Sequence, residues 1–155
     1  MDTDADQPVA APSRSEGGDR RFRTRGGNEN GEEAMAEYMA GKVDDYADGD
    51  RKVVVCGDAE VGVFQIGGEF YAWHNRCAHR AGPVCQGRIM KRVLEPVASD
   101  KTTRTQQYDE AESHIVCPWH GYEFSIKTGF HQGNRRVRLR KAELTIRDGE
   151  IYVSF

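Results

Sequence analysis

The sequence predicts an all-β domain of antiparallel strands behind a disordered leader, and three observations carry that reading. From Val53 onward, short apolar runs alternate with turn residues at close intervals. No long stretch repeats apolar residues at helical spacing. Residues 1–31 are rich in Asp, Gly, Arg, Asn and Pro and hold almost no large apolar side chains, so burial there cannot offset the entropy of ordering.

The elements follow in chain order. Residues 32–40 (Glu-Glu-Ala-Met-Ala-Glu-Tyr-Met-Ala) read as a short helix ended by Gly41, with Met35, Tyr38 and Met39 as its packing stripe. The leader, acidic overall, is therefore drawn over residues 1–42 and the folded domain over 43–155. Val53 to Cys56, Val61 to Ile66 and Phe70 to His74 are three strands joined by hairpin turns at Gly57-Asp58 and Gly67-Gly68. Ile115-Val116 enters a loop that Tyr122 to Ile126 leaves. Val137 and Leu139 point inward from an alternating basic run, Arg135 to Lys141, that reads as a strand. Leu144, Ile146 and Ile151 to Phe155 close the domain around the turn Asp148-Gly149. The polar stretch 91–113 reads as an inserted hairpin or exposed loop.

Composition narrows the function classes. The net charge of −3 is unevenly spread: residues 1–50 hold 13 acidic and 6 basic side chains, residues 51–155 hold 12 and 16. The acidic balance, and a basic run without an aromatic platform, argue against nucleic-acid binding. The longest aliphatic run is Val53-Val54-Val55, far below the ~20 residues of a membrane helix. Arg20-Arg21-Phe22 resembles a twin-arginine signal, but Arg23, Thr24 and Arg25 follow where an apolar stretch is needed. The expected location is the cytoplasm, where Cys56 and Cys85 remain ordinary thiols in or beside strands. His74, His114 and His131 have no motif around them and read as surface or edge histidines.

The chemistry concentrates in two clusters, Cys77-Ala78-His79 and Cys117-Pro118-Trp119-His120. Each pairs one thiolate with one imidazole. A single zinc can take four such ligands, yet structural zinc sites usually group Cys with Cys and His with His at wider spacing. The order Cys, His, Cys, His suits a two-iron cluster in which each loop sends its Cys to one iron and its His to the other. The longer stretches, Cys77-Ala78-His79-Arg80-Ala81-Gly82-Pro83 and Cys117-Pro118-Trp119-His120-Gly121-Tyr122-Glu123-Phe124, closely resemble the cluster-binding loops of Rieske iron–sulfur proteins.

That resemblance implies a Rieske-type antiparallel β-sandwich or barrel-like domain carrying one [2Fe–2S] cluster, with Cys77, His79, Cys117 and His120 as ligands. Two neutral His in place of two Cys leave the oxidised site uncharged, which raises its potential. His79 and His120 would face solvent as the electron exit and as a redox-linked proton site. Gly82, Pro83, Pro118 and Gly121 would turn the loops so that backbone N–H groups point at sulfide, and Trp119 would shield the cluster. High-potential relatives bridge the loops with two extra Cys, whose positions here are Gly82 and Trp119. They also place Ser and Tyr hydroxyls against the sulfurs, where this chain has Tyr122 and Phe124. Fewer donors lower the expected potential toward about −150 mV.

The function so implied is a one-electron carrier: the ferredoxin component of an oxygenase or related redox system, with a flavin reductase as donor and an oxygenase or other acceptor. A complete oxygenase is not expected, because its catalytic iron domain has no room before Phe155. The alternatives are a non-catalytic small subunit of a reductase complex, similar to that of nitrite reductases, and an interaction module with zinc or no metal.

Overall fold

The computed structural model describes residues 35–155, so the expected disorder of residues 1–31 lies outside them. Nine strands form three three-stranded antiparallel sheets. In chain order they are β1 (Glu37–Lys42), β2 (Arg51–Cys56), β3 (Ala59–Ile66), β4 (Glu69–His74), β5 (Arg88–Leu94), β6 (Gln107–Val116), β7 (Glu123–Ser125), β8 (Glu143–Arg147) and β9 (Glu150–Ser154). The sheets are ordered β1-β9-β8, β2-β3-β4 and β5-β6-β7.

The sheet β2-β3-β4 is the middle layer, and β3 states the reason in its sequence. Val61 and Val63 enter one core with Ala40, Tyr46, Ala72, Ile151 and Val153. Phe64 and Ile66 enter the other, with Trp73, Val84, Ile115, Phe124 and Leu139. Side chains two apart share a face, so a strand buried on both sides reads as a continuous apolar run. Gly62 belongs to that second face: a Cβ there would lie 2.6 Å from the Sγ of buried Cys85. The hairpins β2–β3 and β3–β4 turn at Gly57-Asp58 and Gly67-Gly68, as expected from the sequence.

Three sequence expectations are corrected. Residues 37–42 are not part of a helix but a strand paired with β9, which puts them in the fold rather than in the leader. A nine-residue helix is marginal in water. Alternation instead buries Ala40, half-buries Tyr38 and leaves Glu37 and Met39 exposed, while Gly41 (φ 122°) sits at a register shift. Arg135 to Lys141 form isolated bridges rather than a regular strand, although Leu139 is buried as expected. His74 and His114 are buried, not superficial. The stretch 91–113 is a hairpin, one of the two forms expected: it is the distal part of the long β5–β6 pair, in which β6 bulges by three residues opposite Lys91-Arg92.

His74 packs edge-on against Phe155 with ring centroids 4.5 Å apart, and its Nε2 has no hydrogen-bond partner among the described residues. Burial lowers its pKa below the ordinary 6.5, and the Arg140 charge adds to this. The unfolded chain then binds more protons than the folded one below pH 6.5, so stability falls as pH drops through that window. His74→Phe is expected to remove that acid-side loss, read as a smaller gap between urea midpoints at pH 5 and pH 8 than in the parent protein.

Candidate metal centre

The two loops are built to one backbone plan. Cys77 N–H donates to the Gly82 carbonyl at 2.8 Å, and Ala81 N–H returns to the Cys77 carbonyl at 2.8 Å. Forty residues later, Cys117 N–H donates to Tyr122 at 2.8 Å and Gly121 N–H to Cys117 at 3.0 Å. The fourth residue after each cysteine is left-handed, Ala81 at φ 61° and Gly121 at φ 71°. Glycine adopts that conformation freely, whereas alanine is strained there. Within this shared plan the histidines differ by one position, two residues after Cys77 and three after Cys117.

The core fixes the loops from below. Cys77 and Cys117 are buried with Phe64, Val84, Ile115 and Phe124, so the same packing that closes the core sets the depth of both thiols. Asn75, also buried, donates through Nδ2 to Glu60 at 2.8 Å and accepts from Cys85 N–H at 2.8 Å, tying the first loop to β3. Beneath the second loop, buried His114 on β6 meets Glu123 on β7, Nδ1 to Oε1 at 2.5 Å, with Glu112 Oε1 3.6 Å from its Nε2. Glu112 also accepts a hydrogen bond from Ser125 Oγ at 2.5 Å. The motifs alone did not point to this group, because its members lie on different strands.

Across the loops, like donors meet like. The Cys77 thiol is pushed above its ordinary pKa by burial; backbone N–H groups of His79 and Arg80 pull against that, and the adjacent Cys117 thiol adds to it. The imidazoles of exposed His79 and His120 stand with centroids 4.8 Å apart at 88°. Slight desolvation and the neighbouring His120 and Arg80 lower the His79 pKa. Tyr122, which the sequence analysis treated only as a replaced hydroxyl position, stacks on His79 at 4.1 Å and 6°. His131 in turn lies 4.9 Å from Tyr122.

The flanking residues sort by what they touch. A Cβ on Gly82 would come within 2.8 Å of the Trp119 indole, so the close approach of the two loops, not a left-handed turn, requires glycine there. Gly82 and Trp119, the positions matched to the absent bridge, do face each other. Trp119 is 59% exposed and covers Gly82 with one ring face. Pro83 leads into the short 3₁₀ turn Val84–Gln86, and Pro118 is exposed at the second tip.

The donor set fits two metal ions better than one. The Cys77 and Cys117 thiols are buried beside each other, and the His79 and His120 rings stand exposed beside each other. Two buried sulfurs together and two outward imidazoles together offer each of two irons a like pair.

The fold and paired loops are those of a Rieske domain. The Rieske [2Fe–2S] domain family model matches residues 36–142, and the chain belongs to that family, which implies one Rieske-type [2Fe–2S] cluster. A human Rieske domain-containing protein is 28% identical over 134 residues, 77% of this chain and 74% of its own. Ferredoxin CarAc of Metapseudomonas resinovorans is 27% identical over 105 residues, 67% of this chain and 78% of its own. Among solved structures, a Mycobacterium tuberculosis protein assigned as an NADH-dependent nitrite reductase small subunit shares the fold with a TM-score of 0.58 at 16% identity, over 79% of this chain and 96% of its own. No helix among the described residues is long and apolar enough to cross a membrane.

Proposed function

We propose that Cys77 and Cys117 hold one iron of the cluster and His79 and His120 the other, and that the protein is a one-electron carrier serving as the ferredoxin component of an oxygenase or related redox system. The observation that carries this reading is the sorting of donors by depth, sulfurs buried in the core and imidazoles exposed at the tip. When bound, the cluster takes up and gives out one electron at a time. Electron transfer needs short distance, so the exposed imidazoles are the point of closest approach for a partner. The buried thiolates lie in the apolar core, which excludes water from their side of the site. Tyr122 stacked on His79 fixes the ring plane of one exit group.

Buried Phe124, with no hydroxyl to offer, supports a potential at the low end of the Rieske range. Such a potential suits a flavin reductase as donor and an oxygenase iron as acceptor. The test is a redox titration of the purified protein, which is expected to give a one-electron midpoint near about −150 mV. A midpoint at the high end, near about +300 mV, overturns the carrier reading. Elution as a single species supports a ferredoxin, whereas a stable complex with a reductase supports the small-subunit role.

A further inference from the structure

The paired loops and the segment that runs beside them carry charge of one sign, while exposed Glu60 on β3 meets the first loop through Asn75. Residues 75–83, 117–122 and 130–140 contain six arginines, Arg76, Arg80, Arg135, Arg136, Arg138 and Arg140, and no Asp or Glu. All six are exposed, and none makes an ion pair among the described residues. The nearest acid along the chain after the second loop, Glu123, is engaged by His114.

The segment 130–140 runs beside both loops. At its start His131 bridges Phe124 and touches Tyr122, which stacks on His79. At its end the Arg140 carbonyl accepts from His74 N–H at 2.9 Å, three residues before Cys77. Between them the Arg135 and Arg138 guanidiniums stand 5.1 and 6.0 Å from the Phe130 ring centroid. A guanidinium resting on an aromatic face loses some of its freedom without losing its charge. These charges are therefore preset for a partner, whereas mobile surface lysines would have to be ordered on binding.

We infer that this arginine face, with segment 130–140 at its centre, is the docking surface for an acidic redox protein, which it orients with its prosthetic group toward His79 and His120. The inference rests on the carrier function proposed above and adds the charge chemistry of its partner. A cluster of one sign speeds encounter with an opposite surface by ~10- to 1,000-fold, and salt screens that gain. Carboxylates on the partner match the guanidinium fork in pairs.

The test uses the full-length, cluster-loaded protein and an acidic flavodoxin as probe. Calorimetry with the oxidised flavodoxin reads binding. Stopped flow with the flavodoxin hydroquinone reads transfer of one electron from the anionic hydroquinone, leaving its neutral semiquinone, to the oxidised [2Fe–2S] centre. The expected result is binding and a rate that each weaken at least ~10-fold between low and near-molar salt. The double variant Arg135→Glu/Arg138→Glu is expected to lose at least ~10-fold in both at low salt with an unchanged visible spectrum, while Lys101→Glu on the distal hairpin stays within ~2-fold. Equal behaviour of the two variants, salt-independent binding, or tighter binding to a single-stranded oligonucleotide than to flavodoxin overturns the inference. Absence of a Rieske-type spectrum counts against the carrier function and leaves the calorimetric arm to judge the surface.

Discussion

A His79→Ala chain is expected to lose the Rieske-type visible and EPR spectrum, with cluster affinity reduced by more than about a hundredfold. Removal of residues that merely support a ligand typically costs 10- to 100-fold, so removal of a proposed ligand sets that range as a lower bound. His79 lies on the exposed side of the site, and its ring meets His120 and Tyr122. The substitution therefore takes away a donor without opening the core beneath Cys77 and Cys117. Because metal binding to a folded site contributes its free energy to folding, the melting temperature should fall with the spectrum. The informative control is His131→Ala. That ring lies 4.9 Å from Tyr122 and 5.6 Å from Phe124 yet belongs to neither loop, and the spectrum should survive its loss. An unchanged spectrum in His79→Ala removes that residue from the ligand set.

Gly87→Ala is expected to destabilise the protein by about 3 kcal/mol or more and to lower cluster occupancy in parallel. A Cβ at position 87 would stand 1.7 Å from the Val116 carbonyl oxygen, a contact with backbone that no rotamer can relieve. Val116 directly precedes Cys117, and Arg51 Nη1 hydrogen-bonds the Gly87 carbonyl from the middle sheet. Relief thus requires moving β6 and the second loop away from the first. The loss should appear as a lower urea midpoint together with a reduced ratio of cluster absorbance to protein. Gly57→Ala is a useful contrast at a hairpin turn. Its strain is a left-handed φ of 63° and a 3.0 Å contact with the Tyr38 hydroxyl, so it should cost stability while leaving the cluster spectrum intact.

The two loops could be read from the sequence because each compresses candidate ligands, turn residues and a characteristic spacing into a few consecutive positions. The β2–β3–β4 meander and the β8–β9 hairpin were equally legible, since Gly57-Asp58, Gly67-Gly68 and Asp148-Gly149 mark turns between apolar runs. Strand β1 was not. Its residues have fair helix propensity, and only pairing with β9, more than a hundred residues away in sequence, makes it a strand. The partner of buried His114 was equally illegible, because Glu123 meets it from the neighbouring strand β7. Gly82 was singled out only as a turn residue. It also admits the Trp119 indole from the other loop, a contact invisible to any local pattern. Gly62 and Gly87 are likewise explained only by what lies opposite them, Cys85 and Val116. The basic run 135–141 kept its alternating burial but not a regular strand, since the segment serves as a strap with isolated bridges to Trp73 and Phe130.

Pulsed EPR of the dithionite-reduced protein, resolving nitrogen couplings to the unpaired electron, addresses the central claim most directly. Ligation by His79 and His120 predicts two distinct nitrogen couplings on a mixed-valence pair of irons whose average g value lies below that of the free electron. A spectrum without nitrogen couplings, or with the signature of a lone paramagnetic ion, contradicts it.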